Sequence, residues 1–228
     1  MQQITGREAV LAVLHDPSFV VPAVPAATGG VAWLRATVGR FSTGPDHERR
    51  RALAVAVIAA VDPDAVRRAA GDDPVTVLAR AIGVAHPVAE LVREVAQTYQ
   101  PGTGDEPRAD AAVERLVTIL GGAHDEPVAA RIGVLVQACA ATTALIERAR
   151  HRPVEEVLRD DPPVPATRRQ ALTATTVGGV LVRAGEVVLV SLAGGPAFGA
   201  GPRRCPGRDL ALALAARRPD VPRVSPIR

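Results

Sequence analysis

A mostly α-helical chain with one small β element is the architecture that this sequence predicts, and three observations predict it. Apolar residues recur at helical spacing through most of the first 159 positions. One stretch, "PVAARIGVLVQACAATTALIERARH", is long and apolar nearly all round, the pattern of a helix buried on most sides. After Arg159 the texture changes to turn residues and β-branched runs, in "TTVGGVLVRAGEVVLVSL".

The elements follow in order. "GREAVLAVLHDPSF" predicts a short helix stopped at Asp16-Pro17, and "VPAVPAATGG" a loop. "HERRRALAVAVIAAV" predicts a helix after "TGPD", with Thr43 and Asp46 as candidate caps. "DPVTVLARAIGV" and "PVAELVREVAQTY" predict two more helices, and the polar "QPGTGDEPRAD" a loop. "AAVERLVTILGG" predicts a helix closed by glycine. Gly185, between two Val-rich runs, predicts a hairpin, and "RDLALALAARR" a last helix. Residues 1–228 read as one domain, with 1–30 and 219–228 peripheral or loose.

Composition narrows the function. The 228 residues are enough for a sizeable core, but aromatics are only 2%, so that core must be built from Ala, Val and Leu. All 27 basic residues are Arg, dispersed among acids, for a net charge of +3. No aromatic-studded basic strip points to nucleic acid, and no apolar run reads as a membrane span. With no signal pattern at the start, the expectation is a cytoplasmic protein. The two cysteines, Cys139 and Cys205, suggest no disulfide framework.

Cys205 sits in "FGAGPRRCPGRDLALALA", where Phe198, Gly201, Arg203, Cys205 and Gly207 stand at F-x-x-G-x-R-x-C-x-G. A helix start after the cysteine and nearby Arg both favour a thiolate, and the glycines leave the backbone of the loop uncovered. No second Cys or His lies near at zinc-ligand spacing. The loop resembles the haem-binding signature of the cytochrome P450 superfamily, the haem-thiolate monooxygenases. All five signature positions match.

The resemblance implies a reduced version of the P450 fold holding haem b, with Cys205 as the axial iron ligand. It implies roles elsewhere too. "PDHERRRAL" carries His47 and Arg51 in H-x-x-x-R, implied partners of a haem propionate, as are Arg203 and a strand Arg in "TRRQA", Arg169 or its neighbour Arg168. Phe198, Gly201 and Gly207 would shape the haem cradle. Glu156 and Arg159 form the E-x-x-R pair, implied to be a buried structural ion pair. "ACAATT" aligns with the distal helix and makes Thr142 the implied catalytic hydroxyl. Four segments thus occur in the superfamily's order.

The departures are as specific. The chain is little more than half the superfamily's usual length, and only 49 positions separate Glu156 from Cys205. Ala141 replaces the distal acid, which suits a peroxide-driven reaction better than one needing proton relay to dioxygen. The resemblance therefore implies oxidation of a small molecule, with electrons from a ferredoxin-type donor or with peroxide as oxidant. The alternatives are a non-catalytic haem-binding sensor and a haem-free accessory subunit. A homo-oligomer or another protein could close the shortened pocket.

Overall fold

In a computed structural model of the chain, residues 1–69 and 73–216 are described. Helices α1 (Arg7–His15), α2 (Gly30–Thr37), α3 (Gly44–Ala59) and α4 (Pro63–Arg68) come first. They are followed by α5 (Pro74–Ala81), α6 (Ala89–Thr98), α7 (Glu106–Leu120) and α8 (Glu126–Arg148). After α9 (Val154–Asp160) comes the sheet region, then α10 (Arg208–Ala215).

Four helix starts share one local code. Asp62, Asp73, Asp105 and Asp125 each accept a hydrogen bond from a backbone N–H two or three residues on, and each is followed by proline in the first turn. The carboxylate satisfies an orphan donor, and proline has no N–H to lose there. Two helices are not anticipated by the sequence pattern. The very short α4 is not anticipated by periodicity. α2 follows Gly29-Gly30, which reads as loop, and its caps come from far away. Glu114 accepts from the Gly30 N–H at 2.9 Å and Asp110 from that of Val31 at 2.7 Å.

The helical core is aliphatic, as the composition requires. α6 buries Leu91, Val92, Val95 and Thr98, and α7 buries Ala109, Val113, Leu116 and Leu120, each a stripe at helical spacing. Both stripes face α8, which also packs on α2, α3, α5 and α10. By length and apolarity α8 could cross a membrane, contrary to the sequence reading, but 56% of its apolar window is buried inside the protein. It is the central core helix.

Strands β1 (Gln3–Ile4), β6 (Val187–Ser191), β3 (Ala166–Ala171) and β2 (Phe19–Val20) form one sheet in that order. β1 pairs parallel with β6, and the other pairs are antiparallel. β4 (Thr175–Val177) and β5 (Val180–Val182) form a separate ribbon, closed by Gly178-Gly179. The expected hairpin around Gly185 is therefore corrected. The chain turns there, but the Val-rich runs on either side pair in different sheets. Two equivalent β-branched runs carry no local information about partner choice.

Residues 1–30, expected to be peripheral or loose, pack against the sheet. Ile4, Val10, Val13, Leu14 and Phe19 form one buried cluster with Val188 and Val190. The first segment thus completes the sheet and covers it. The stretch 219–228, expected to be peripheral or loose, lies outside the described residues.

Candidate functional site

The Cys205 loop is fixed at both ends. The Cys205 N–H donates to the Phe198 carbonyl at 2.8 Å, closing the loop on itself. A 3-10 turn, Gly201–Arg203, precedes the cysteine, and α10 starts one residue after Gly207. Gly201 has φ +65, and a Cβ there would stand 2.4 Å from the backbone oxygen of Leu14 in α1. Only glycine lets these backbones meet. Phe198 is half-buried, and the Arg208 guanidinium lies 5.9 Å from its ring centre.

Two opposed effects act on the Cys205 thiol. Burial pushes its pKa above the ordinary thiol value; the Gly207 N–H, Arg51 and Arg204 pull it down. Arg51 is held beside the loop by its own bond, Nη2 donating to the Arg204 carbonyl at 2.6 Å.

Four predicted residues meet beside this loop. His47 and Arg51 come from α3, Arg169 from β3, and Arg203 from the turn before Cys205. Arg203 donates to the backbone carbonyls of Gly39, at 3.3 Å, and of Ser42. Strand register selects Arg169 over Arg168. Arg169 pairs across from Val188, on the buried face, and is 6% exposed, while Arg168 points to solvent. The Arg169 Nη1 donates only to the Thr167 hydroxyl and the Arg168 carbonyl.

Among the described residues, none of these four side chains has a carboxylate partner. The protonation of His47, Arg169 and Arg203 reflects it. Burial first, then Arg203, Arg51 and Arg169, hold the His47 pKa down at about 4. Burial, then Arg203 and Arg40, lower that of Arg169 to about 10. Half-buried cations without counter-charge are costly, and an arriving anion relieves that cost. The sequence reading missed Arg40, which stands in the 3-10 turn Gly39–Phe41 ahead of α3. An Arg-Phe pair just before the "TGPDH" lead-in was the available signal.

Two implied roles are not supported by the geometry. Thr142 lies on the α8 stripe with Ile132, Leu135 and Cys139, which packs inward. It is 4% exposed and lines a narrow apolar seam with Val75, Leu78 and Leu214. Helix register decides this: the exposed positions nearby are Gln137 and Ala140, and neither carries a hydroxyl. The expected buried Glu156–Arg159 pair is also corrected. Arg159 is exposed and turns to Asp160, Nε to Oδ1 at 2.8 Å. With solvent on this side, the adjacent carboxylate is the easier partner. The Arg159 carbonyl instead accepts from Gly194 N at 2.8 Å, tying α9 to the segment that leads into the cysteine loop.

Among the described residues, no group of acids, His and Cys has the grouping of a metal site. A cavity of about 190 Å³ lies between α5 and α6, lined by Thr76, Val84, His86 and Glu90 among others. It is below the usual size for an organic ligand and shares no residue with the cation cluster.

Comparison with known proteins agrees with this architecture. No family model matches the sequence, and no curated protein matches it. Solved structures do. The chain is similar to P450BioI, solved in complex with acyl carrier protein ligated to hexadec-9Z-enoic acid, at TM-score 0.74 and 20% identity. That match covers 94% of this chain and 82% of the other. It is similar to CalO2 at TM-score 0.67 and 20% identity, over 93% of this chain and 80% of that one. A third is CYP109E1 from Bacillus megaterium in complex with testosterone, at TM-score 0.60 and 19% identity, over 93% and 81%. The chain has the cytochrome P450 fold.

Proposed function

We propose that this chain is a haem-thiolate protein that binds haem b through Cys205 and oxidises a small molecule, with peroxide as the favoured oxidant. One observation carries the reading. His47, Arg51, Arg169 and Arg203 converge from three separate parts of the chain beside the cysteine loop, and none has a carboxylate partner among the described residues. That donor set fits a flat ligand bearing two carboxylates and a metal that prefers a thiolate. The glycine-built approach at Gly201 fits a loop that must present one sulfur atom at a fixed height.

Cys205 would be the axial ligand; the Gly207 N–H, Arg51 and Arg204 favour its anion, against the larger opposing effect of burial. Arg169 and Arg203 would hold carboxylates from the buried side, and His47 and Arg51 from α3. Phe198 would pack on the loop side, and Gly207 would free the backbone N–H that faces the sulfur. When bound, the haem supplies the redox chemistry, with electron donation from the thiolate favouring cleavage of an O–O bond. The chain's own acid–base contribution is small. Ala141 has no proton to give, and Thr142 is buried. An oxidant that brings its own protons and electrons suits such a site, and a ferredoxin-type donor is then not required.

The same observation favours a second reading, a non-catalytic haem-binding sensor. In either case a cytoplasmic location is proposed, without a nucleic-acid or membrane partner. A second copy or another protein would cover the site, and the carrier-bound P450BioI complex makes a protein partner a reasonable kind to test.

Haem-supplemented expression followed by haem quantification and a peroxide assay on a panel of small substrates tests the proposal. The expected result is one haem per chain and product formation with peroxide. Haem binding with tight carbon monoxide or nitric oxide binding but no turnover would favour the sensor. A colourless protein with no haem uptake would reject both in favour of a haem-free accessory subunit.

A further inference from the structure

The cation cluster has an outer edge that the sequence motifs do not describe. The 3-10 turn Gly39–Phe41 packs against α3 at Arg51, where a Cβ on Gly39 would be 3.2 Å from the Arg51 backbone nitrogen. The Arg203 guanidinium spans this turn, donating to the carbonyls of Gly39 and Ser42. Arg40 therefore stands on a turn clamped by two members of the cluster.

Its side chain is exposed but not unconstrained. The guanidinium carbon lies 5.6 Å from the centre of the Phe41 ring and 5.8 Å from that of Tyr99. The two rings meet edge to face at 5.3 Å, forming a shelf. Among the described residues Arg40 has no carboxylate partner, and it is close enough to Arg169 to disfavour the charge there. The cluster thus runs from a buried Arg, through half-buried His47, Arg51 and Arg203, to an exposed Arg at the rim.

We propose that Arg40 is a further anion-binding residue of this site, taking the outer carboxylate of the bound haem, with Phe41 and Tyr99 holding it poised. This rests on the haem-thiolate reading. A guanidinium presents two parallel N–H donors to a carboxylate, which a lysine cannot match. A cation–π contact made by an exposed guanidinium is weak enough to be given up, or kept alongside, when an anion arrives. The shelf limits the rotamers that would otherwise be lost on binding.

The test is titration of apo-protein with ferric haem, followed by absorbance and by quenching of Trp33, the only tryptophan. Four proteins are compared: wild type, Arg40→Ala, Arg40→Lys, and Arg115→Ala as an exposed-Arg control. Circular dichroism verifies that each is folded. Arg40→Ala should weaken haem binding about tenfold, a difference of about 1.4 kcal/mol. Arg40→Lys should recover part of this, and Arg115→Ala should match wild type. The titration is repeated with haem whose carboxylates are methyl esters, where the Arg40→Ala defect should vanish. Equal haem affinity in wild type and Arg40→Ala overturns the proposal, as does a defect that persists with the ester. Failure of wild type itself to take up haem is a separate result, which overturns the underlying haem reading and this proposal with it.

Discussion

Replacing Gly201 with Ala should destabilise the protein far more than the same change two residues earlier at Gly199. Both glycines have positive φ, +65 and +70. A non-glycine residue pays about 1–2 kcal/mol for that backbone region at either position. The surroundings differ. At Gly199 the nearest atom to a new Cβ is the Arg203 oxygen at 3.8 Å, an ordinary contact. At Gly201 it is the Leu14 backbone oxygen at 2.4 Å. That oxygen cannot swing away, because α1 is anchored by Val10, Val13 and Leu14 in the sheet cluster. Forcing the two segments apart adds about 1–3 kcal/mol, the usual cost of overpacking. Gly201→Ala should thus lose about 2–5 kcal/mol and Gly199→Ala about 1–2. Urea unfolding of the two apo variants, with m-values unchanged, measures the gap. Equal losses would refute the claim that α1 rigidly supports the cysteine loop.

Three further outcomes follow from the same site. Arg169→Met should stabilise the apo-protein in low salt by about 1–3 kcal/mol, since a shift to a pKa of about 10 in a side chain this buried reflects an uncompensated charge; haem affinity should fall in parallel. A destabilised Arg169→Met apo-protein in urea titrations would contradict this. His47 is held at a pKa of about 4, below its unfolded value of 6.5, so the unfolded chain binds the extra proton first. Its contribution to stability is complete above pH 6.5 and is lost as pH falls from 6.5 toward 4, and His47→Gln should flatten that part of the profile. Tyr99→Phe should leave stability unchanged or raise it by about 1 kcal/mol, because the buried hydroxyl has no hydrogen-bond partner to lose; thermal melts decide it.

What the sequence made legible was what is encoded locally. The helical stripes of α6 and α7 and the cysteine loop each declare themselves within a few residues. What it hid depends on distant partners. α2 is capped by Asp110 and Glu114 from another helix, so its own glycines read as loop. The strands flanking Gly185 could not show that they belong to different sheets.

The candidate site divides along the same line. His47, Arg51, Arg203 and Cys205 follow from motif spacing, and β-strand register chooses Arg169 over Arg168. A helix pattern does not say which stripe faces which neighbour, and here the Thr142 stripe faces α5 and α10. Arg159 fails because E-x-x-R fixes spacing without fixing burial. Arg40 belongs to no motif; only the packing of its turn on Arg51 and Arg203 brings it to the cluster.

The most direct measurement is the absorption spectrum of haem-loaded protein, reduced and exposed to carbon monoxide, for wild type beside Cys205→Ala. The account predicts the strongly red-shifted Soret band of thiolate ligation in wild type and its loss in the variant. A wild-type spectrum without that band, or a Cys205→Ala spectrum that keeps it, would contradict the assignment of Cys205 as the iron ligand.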